Sequence, residues 1–245
     1  MRYKAARLIA AAGFLAIALA GWAQLYRGRP CGNGDPALRE MLKAGKIGAL
    51  SEPMVKNGLF DAWSTSMLKA EGVSPKAPGP CGEYAPGDPC EEYTIRLHEW
   101  SCMYCARAAM DDNPATAWVE GSEGDGIGEV VIVKADITRP MRIWAGFGRS
   151  DKIFSANGRP RRVAVYALEG IGGAAQSEFA YADIRVLGRR EVELRDVNGY
   201  QFLPLPEGKI PGRDNQHTFV AVEILSVYPG QKHRDTCISE INNRR

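Results

Sequence analysis

The residues best able to do chemistry are concentrated between Asp111 and Glu129, where the chain reads DDNPATAWVEGSEGDGIGE. A bend rich in acids and glycine is typical of a calcium loop, a phosphate loop, a redox or catalytic turn, or a β-sandwich loop. An EF-hand is excluded because the acids at 111 and 112 are adjacent rather than alternating. A phosphate loop is excluded because the carboxylates would repel a phosphate and no GK[ST] ending follows.

One hard cation could still be held in this bend by oxygen ligands. Asp111, the carbonyl near Asn113, and Thr116 supply such ligands, and Glu240 in the distant DTCISEI would complete the shell. The alternative is that the same residues only hydrogen-bond the loop, with the aspartates capping turns. The sequence therefore predicts either a structural calcium site at these four residues or a loop held by hydrogen bonds alone.

The cysteines offer a second kind of chemistry. Cys102 and Cys105 have the C-x-x-C spacing of thiol oxidoreductases, but no βαβ unit surrounds them. Zinc is a weaker alternative, because the C-x8-C spacing of Cys81 and Cys90 does not match paired zinc knuckles. The three histidines adjoin no nucleophile motif such as GxSxG. We therefore expect no catalytic activity.

Residues 1–23 have the three parts of a secretory signal peptide. MRYKAAR is positively charged, LIAAAGFLAIALAGWA is apolar, and Gly21 and Ala23 provide the small residues of a cleavage site. An uncleaved anchor is the alternative, but this apolar run is shorter than the ~20 residues that span a bilayer. We expect cleavage after Ala23, a secreted or periplasmic location, and a product that is not an integral membrane protein.

Export to an oxidising compartment favours disulfides over metal-bound thiolates. The candidates are Cys81, Cys90, Cys102, Cys105 and Cys237, and the short Pro/Gly loop between the first two makes them the best-favoured local bridge. Loss of three basic residues with the signal peptide changes the formal net charge from +2 to −1. A nearly neutral chain lacks the basic surface that nucleic acid requires, so no nucleic-acid partner is expected.

Residues 24–92 are predicted to form a helical and Pro/Cys-rich N-terminal segment. Asp35 is a helix N-cap, with Pro36 at the first helical position. Apolar residues at helical spacing predict a second helix over 51–72.

Residues 93–245 are predicted to form an antiparallel β-sandwich, which makes the fold mainly β. The period changes to two, and turn residues rather than helices separate the apolar runs. Trp118 alternates with apolar neighbours and is expected to bury its ring between the sheets. The predicted strands are EYTIRLHEW, EVVIVKAD, MRIWAGF, RRVAVYALE, FAYADIRVL, EVELRDV and HTFVAVEILSVY.

Three separated motifs carry a family resemblance over about residues 95–245. AMDDNPATAWVEGSEGDGIGEVVIV, FSANGRPRRVAVY and VAVEILSVYPGQKHRDTCISEI occur in this order. They resemble the discoidin-like, factor 5/8 type C-like glycan-binding domain that is attached to bacterial NAD glycohydrolases and is also called the NADase translocation domain. The resemblance implies a galactose-binding-like jelly-roll. Residues 24–92 are too few for the NAD glycohydrolase enzyme itself.

The resemblance also implies particular contacts. First and last strands lie near each other in such a jelly-roll, so Cys237 could reach Cys102 or Cys105. Discoidin-like relatives often hold a structural calcium, which carries over to Asp111, Asn113, Thr116 and Glu240. The middle glycine of the family motif is Asp112 here, a residue that tolerates a left-handed bend better than most.

The favoured hypothesis is a secreted, non-catalytic module that binds carbohydrate or a cell-surface glycan. Shallow sugar sites use an aromatic face with a few polar groups. The candidates beside predicted loops are Trp144, Phe147, Arg149, Asn157, Arg159 and Tyr200. Trp144 is out of phase with its apolar neighbours and either faces outward or packs under the N-terminal helices. The alternatives are an envelope protein that docks a partner through residues 35–72, and, less favoured, a thiol oxidoreductase using Cys102 and Cys105.

Overall fold

The computed structural model describes residues 34–47, 62–79, 89–175, 179–208 and 218–243. The predicted signal peptide 1–23 and its cleavage site lie outside these residues. The described chain divides into two compact units. Residues 72–79 and 89–101 belong to one unit, and residues 34–47, 62–71 and those from 102 onward belong to the other. The predicted boundary between 92 and 93 does not follow this division, because residues 34–47 and 62–71 group with the sandwich.

Fourteen elements are described, in chain order. They are α1 (Ala37–Lys43), β1 (Lys46–Ile47), β2 (Ala62–Ser64), α2 (Pro89–Ser101), a 3-10 helix (Ala106–Ala109), β3 (Trp118–Val119), β4 (Val130–Lys134), β5 (Met141–Ala145), α3 (Asp151–Ala156), β6 (Arg159–Ala175), β7 (Phe179–Glu193), β8 (Gln201–Leu203), β9 (Thr218–Tyr228) and β10 (Cys237–Asn243).

The smaller unit contains the helix α2, where the sequence predicts the strand EYTIRLHEW, so that prediction is wrong. Pro89 occupies the first helical position, where its missing N–H costs nothing. Glu91 and Glu92 lie in the first turn and His98 in the last, which suits the helix dipole. These end signals outweigh the short alternation of apolar residues between them.

Two antiparallel sheets form the larger unit. The first has the order β1-β7-β6-β9-β4-β2 and the second β3-β10-β5-β8. Their facing sides supply one main core, in which Ile143 and Ile241 of the small sheet join Val163 and Val222 of the large one. The mainly β, antiparallel, two-sheet fold is therefore confirmed.

Trp118 is fully buried in this main core, as predicted. Its indole N–H donates a hydrogen bond of 2.9 Å to the carbonyl of Ser66. The ring thus fills the core while its one polar atom is satisfied, the arrangement that a buried tryptophan requires.

The helix α1 covers a second apolar cluster on the outer side of the large sheet. Leu38 and Leu42 pack there with Trp63 and Phe219. The Asp35 carboxylate accepts the N–H of Ala37 at 3.0 Å, so the predicted first helix is confirmed to within a residue.

The second predicted helix, over 51–72, is wrong where it is described. Residues 62–64 form the edge strand β2, which pairs with β4. Trp63 meets Phe219 edge-on at 5.3 Å between ring centroids, so contact with the sheet decides the local structure. Residues 51–61 lie outside the described chain.

The strand β10 lies in the middle of the small sheet, paired on one side with β3 and on the other with β5. This pairing brings Glu240 to the region of the Asp111 bend. The predicted strand FAYADIRVL and the first three residues of EVELRDV belong to one continuous strand, β7, which ends at Glu193. Among the described residues, no helix combines the length and the apolar character that crossing a membrane would need.

Candidate functional site

The acidic bend, defined as residues 111–116 together with Glu240, is closed by hydrogen bonds from both ends of the domain. The Asn113 backbone N–H donates to Glu240 Oε1 at 2.7 Å and to Asp111 Oδ1 at 3.0 Å. The Thr116 hydroxyl lies 2.7 Å from both Asp111 Oδ2 and the Asn113 carbonyl oxygen. Asp112 has a φ of 60°, the left-handed conformation expected from the sequence. The four residues predicted as metal ligands are therefore brought together.

The carboxyl of Glu240 is the unusual group in the bend. Its residue is fully buried, and burial raises its pKa to about 8, assisted by the neighbouring Asp111 and Asp112 and opposed by the Asn113 N–H. The Asn242 amide donates to Glu240 Oε2 at 2.9 Å and to Asp112 at 3.1 Å. The backbone N–H of Asn113 and the amide of Asn242 thus hold the Glu240 carboxyl close to two further carboxyl groups that repel its ionised form.

The donor chemistry of the bend fits a hard cation. Its oxygens are carboxylate, carbonyl and hydroxyl, the set that calcium prefers. Within the described ranges, no group of three or more His, Cys, Asp and Glu side chains is arranged to hold a metal, so a cation here depends on the carbonyl and hydroxyl as well. Asp111, Asn113, Thr116 and Glu240 would hold it, and its charge would offset the repulsion at Glu240.

The glycine-rich continuation of the bend has a structural role. Buried Glu120 accepts the Thr236 backbone N–H at 3.0 Å. Burial raises the pKa of the Glu120 carboxyl, and this hydrogen bond partly opposes the rise. A Cβ on Gly126 would come within 2.5 Å of the Glu120 side chain, and Gly126 has a φ of 70°. Glu129 accepts the Thr65 hydroxyl at 2.6 Å. Glu120 and Glu129 thus help to fix the local chain.

Two cysteine predictions are corrected. Cys105 and Cys237 are free and buried, so the predicted bridge from Cys237 to Cys102 or Cys105 is wrong. Cys237 pairs with Val119 in the sheet and packs in a small cluster with Tyr104, a cluster that does not contain Cys105.

The remaining cysteines bear on the redox hypothesis. Cys90 and Cys102 are each disulfide-bonded. Cys81 lies outside the described residues, so the Cys81–Cys90 bridge stays a prediction. Burial raises the pKa of Cys105, whereas a nucleophilic thiol needs a lowered one. Because Cys102 is bonded and Cys105 is a buried thiol, the pair lacks the properties of a redox centre.

A cluster of aromatic and polar side chains covers the outer side of the small sheet. Trp144 and Tyr200 meet edge-on, with 5.0 Å between ring centroids. The Arg142 guanidinium lies 3.8 Å above the Tyr200 ring, and the Trp144 indole N–H donates to Asn198 at 3.0 Å. Phe202 is paired with Arg142 across the strands and is 65% exposed. We call Arg142, Trp144, Asn198, Tyr200 and Phe202 the aromatic surface.

The aromatic surface includes two of the predicted ligand residues, Trp144 and Tyr200. Residues 141, 143 and 145 are buried while 142 and 144 are half-buried, so the out-of-phase position of Trp144 is confirmed. Trp144 does not pack beneath α1, which lies on the other sheet, whereas residues 51–61 of the second predicted helix lie outside the described chain. Sequence reasoning missed Phe202 and Arg142, although the alternation of MRIWA contained the signal for Arg142.

Asn242 connects the aromatic surface to the acidic bend. Glu240 pairs directly with Trp144 across the strands, and Asn242 pairs with Arg142. The Asn242 side-chain oxygen accepts Arg142 Nε at 2.7 Å, while its amide nitrogen donates to Glu240. Hydrogen bonds through Asn242 therefore link Arg142 to the acidic bend.

The other four predicted ligand residues lie elsewhere. Phe147 packs against the cluster that contains Cys237. Arg149 is exposed on a loop. The Asn157 amide donates to the Ile153 carbonyl at 2.8 Å, just past the end of α3. Arg159 is buried. The structure does not bring these side chains to the aromatic surface.

Arg159 is a structural residue, which corrects the prediction that it contacts ligand. Its Nε and Nη2 form a bidentate pair with Asp196 at 2.9 and 2.7 Å. Its Nη1 donates to the carbonyls of Asn157 and Pro229, each at 2.9 Å. The guanidinium is therefore committed to joining three loops.

We expect Arg159→Gln to lower the unfolding free energy by about 2–3 kcal/mol, because charge-assisted hydrogen bonds at a buried arginine are lost. Urea denaturation measures this effect. Arg161→Gln is the control, since its partner Glu193 is exposed and such pairs contribute about 0–1 kcal/mol. Equal losses in the two variants would contradict the structural role of Arg159.

A family model described as the NAD glycohydrolase translocation F5/8 type C domain matches residues 91–244. No curated protein matches the chain. Among solved structures, similarity extends to mycobacterial arabinofuranosyltransferase AftD (19% identity, TM-score 0.34), covering 57% of this chain and only 9% of that one. An F5/8 type C domain from Bacteroides fragilis has 14% identity and a TM-score of 0.33, covering 58% and 80%. A putative chitobiase fragment from Bacteroides thetaiotaomicron has 12% identity and a TM-score of 0.32, covering 58% and 77%.

Proposed function

The chain belongs to the NAD glycohydrolase translocation F5/8 type C domain family, whose members are commonly carbohydrate-binding modules, and from this we propose that it is a secreted, non-catalytic glycan-binding protein. Secretion rests on the predicted signal peptide. The absence of catalysis rests on the sequence, which offers no nucleophile motif beside its histidines. The ligand is proposed to be the carbohydrate of a cell surface.

The observation that carries the proposal is the aromatic surface. Half-buried Trp144 and Tyr200 lie beside Phe202, whose exposure of 65% leaves a large apolar ring in water. Sugar rings present patches of C–H groups that pack against aromatic faces, and a few polar groups then select the hydroxyls. Such a shallow platform suits a chain of sugar units better than an enclosed small molecule.

Polar groups for the hydroxyls surround these rings. Asn198 accepts the Trp144 N–H and donates to Asp151, and Asn242 accepts from Arg142. Arg142 is held over Tyr200 by this bond, which fixes its direction before ligand arrives. A preorganised donor loses less entropy on binding than a free one.

We propose that the acidic bend holds a structural calcium ion. The support is the convergence of Asp111, Asn113, Thr116 and Glu240, together with the raised pKa of Glu240. A divalent cation would favour the ionised form of this carboxyl. The ion would stiffen the bend and, through Asn242, the position of Arg142.

We expect Phe202→Ala to weaken glycan binding by about tenfold or more, because central aromatic anchors commonly contribute 2 kcal/mol or more. A glycan array with the purified protein identifies the ligand, and calorimetry with that glycan measures the loss. Phe202 is exposed, so the change leaves the core intact. The control is Ile127→Ala, since Ile127 is another exposed apolar residue, at 59%, on a loop outside the aromatic surface.

Unchanged binding in Phe202→Ala, or an equal loss in Ile127→Ala, would remove the aromatic surface from the proposal. Arg142→Gln adds a second test, because it keeps the strand and removes the cation above Tyr200. We expect it to weaken binding without changing the unfolding transition by more than about 1 kcal/mol.

The alternative is an envelope protein that docks a partner through residues 35–72, of which 48–61 lie outside the described chain. Leu38 and Leu42, the apolar side of α1, are buried against the protein's own sheet. This side of the helix is therefore not available to a partner.

A further inference from the structure

A cavity of about 470 Å³ lies on the outer side of the large sheet, where α1 ends. Its walls include Leu42, Lys43, Tyr166, Val186, Arg189 and Glu223. The volume falls within the roughly 300–1,000 Å³ of small-molecule sites. The aromatic surface lies on the other sheet, so this cavity is a separate feature of the fold.

A β-bulge builds the far wall of the cavity. Across β6 and β7, Ala167 pairs with Gly188 and Leu168 pairs with Val186, so Leu187 is left over. The extra residue returns Val186 and Arg189, three positions apart, to the same side of the sheet, opposite Leu168 and Tyr166. Bulges commonly redirect side chains in this way beside functional sites.

The helix end leaves the cavity open. After Lys43 the chain turns at Gly45, which has a φ of 78° and open space where a Cβ would be. The Gly45 carbonyl then accepts the Val186 N–H at 3.2 Å. Leu42, which is 3% exposed, and Val186, which packs against the same apolar cluster, provide the apolar part of the cavity lining.

The acceptors inside the cavity are already used. Buried Glu223 accepts the Tyr166 hydroxyl at 2.7 Å and Arg39 Nε at 3.4 Å. The Tyr166 oxygen in turn accepts Arg189 Nε at 3.2 Å. Burial and the Glu223 hydrogen bond raise the pKa of Tyr166, so the hydroxyl stays protonated and its proton remains committed to Glu223.

The side chains at the mouth of the cavity have more hydrogen-bond donors than the neighbouring protein acceptors use. Arg189 uses Nε for Tyr166 and Nη2 for Glu191, which leaves Nη1 without a partner in the described chain. Within the part of the chain that the structure describes, the Lys43 ammonium, with three N–H groups, donates to the exposed Glu40 at 3.1 Å. A ligand with acceptor oxygens at the mouth and an apolar body against the walls would complement these groups.

We propose that this cavity binds a small amphipathic carboxylate. The carboxylate accepts hydrogen bonds from Arg189 and Lys43, and the hydrocarbon lies between Leu42 and Val186. Arg189 presents a planar fork of donors, which suits a carboxylate better than a single hydroxyl does. The occupant is thus selected by one negative charge and a short apolar chain.

Octanoate is the probe, with octylamine, 1-octanol and acetate as comparisons. Methyl NMR spectra of the full chain should show octanoate shifting the Leu42 and Val186 signals, with intermolecular NOEs to both. Octylamine and acetate should bind at least about tenfold more weakly, because the first lacks the acceptor oxygens and the second the hydrocarbon. Octanol binding as tightly as octanoate, or no shift at millimolar octanoate, would overturn the proposal.

The matched variants are Arg189→Gln and Arg185→Gln. Both arginines are exposed on β7 and pair with one glutamate, but Arg185 pairs with Glu169 and does not line the cavity. Arg189→Gln should weaken octanoate binding about tenfold, and Arg185→Gln should leave it unchanged. If Arg189→Gln does not fold, Lys43→Gln provides the same comparison on the helix side. Equal affinity in the Arg189 or Lys43 variant and the unaltered protein would contradict the assigned role.

Discussion

Replacing Trp118 by alanine is expected to lower the unfolding free energy by about 3–5 kcal/mol, the range for large aromatic residues truncated in a core. The ring is fully buried in the main core between the two sheets. Truncation leaves a cavity there and also removes the donor of the 2.9 Å bond to the Ser66 carbonyl. A single domain has a total stability of about 5–15 kcal/mol, so much of the population should unfold at moderate urea concentration.

Two controls separate the parts of this effect. Trp118→Phe keeps most of the ring and loses the indole N–H, so we expect a smaller loss, with the Ser66 carbonyl contributing about 1–3 kcal/mol as an unpaired group. Phe202→Ala removes an exposed ring and should change stability by no more than about 0.5 kcal/mol. If Trp118→Ala were as stable as Phe202→Ala, the tryptophan would not be packing between the sheets.

The second large effect is a loss of stability with rising pH when calcium is absent. The folded protein raises the pKa of Glu240 to about 8, from an ordinary value of 4.5. Because the pKa of Glu240 is higher in the folded than in the unfolded protein, protonation of this carboxyl favours the folded state. That contribution is complete below about pH 4.5 and is lost as the pH rises through 8. We expect a decline of at most roughly 5 kcal/mol over this window, measured by urea denaturation in a chelator.

Glu240→Gln should remove both the pH dependence and the response to calcium. In the unaltered protein, calcium at 100 times its dissociation constant adds about 2.7 kcal/mol, and the gain should increase with pH as Glu240 ionises. Glu120→Gln is the matched control, because Glu120 is equally buried but is bonded to Thr236 and Ser122 instead of the bend. A calcium response that survives in Glu240→Gln and disappears in Glu120→Gln would place the ion in the glycine-rich loop instead.

Local patterns in the sequence were sufficient for much of the fold. Alternation located β5, and short apolar runs rich in β-branched residues located β4, β6 and β9, whose residues are buried on both sides of the large sheet. Trp118 and the approach of Glu240 to Asp111 were also predicted. The first follows from alternation within a strand, and the second from motifs at both ends of the domain that occur together.

The errors arose where distant contacts outweigh local signals. Trp63 sits at helical spacing, yet its contact with Phe219 holds it in a strand. Arg159 looks like a loop arginine, but Asp196 lies 37 positions away in sequence. In the ligand surface, Phe202 was missed because its strand has three residues, too few for a period to be recognised. Pairing partners of this kind are set by topology, which residue spacing does not encode.

The central place of β10 in the small sheet affects the order in which the protein can mature. A ribosome that has made residues 1–236 has not yet made the strand that separates β3 from β5. Until that strand emerges, β3 and β5 each lack the strand that pairs between them, and the Asn113 backbone N–H lacks its Glu240 acceptor. The small sheet should therefore be completed last, after every strand of the large sheet has been synthesised.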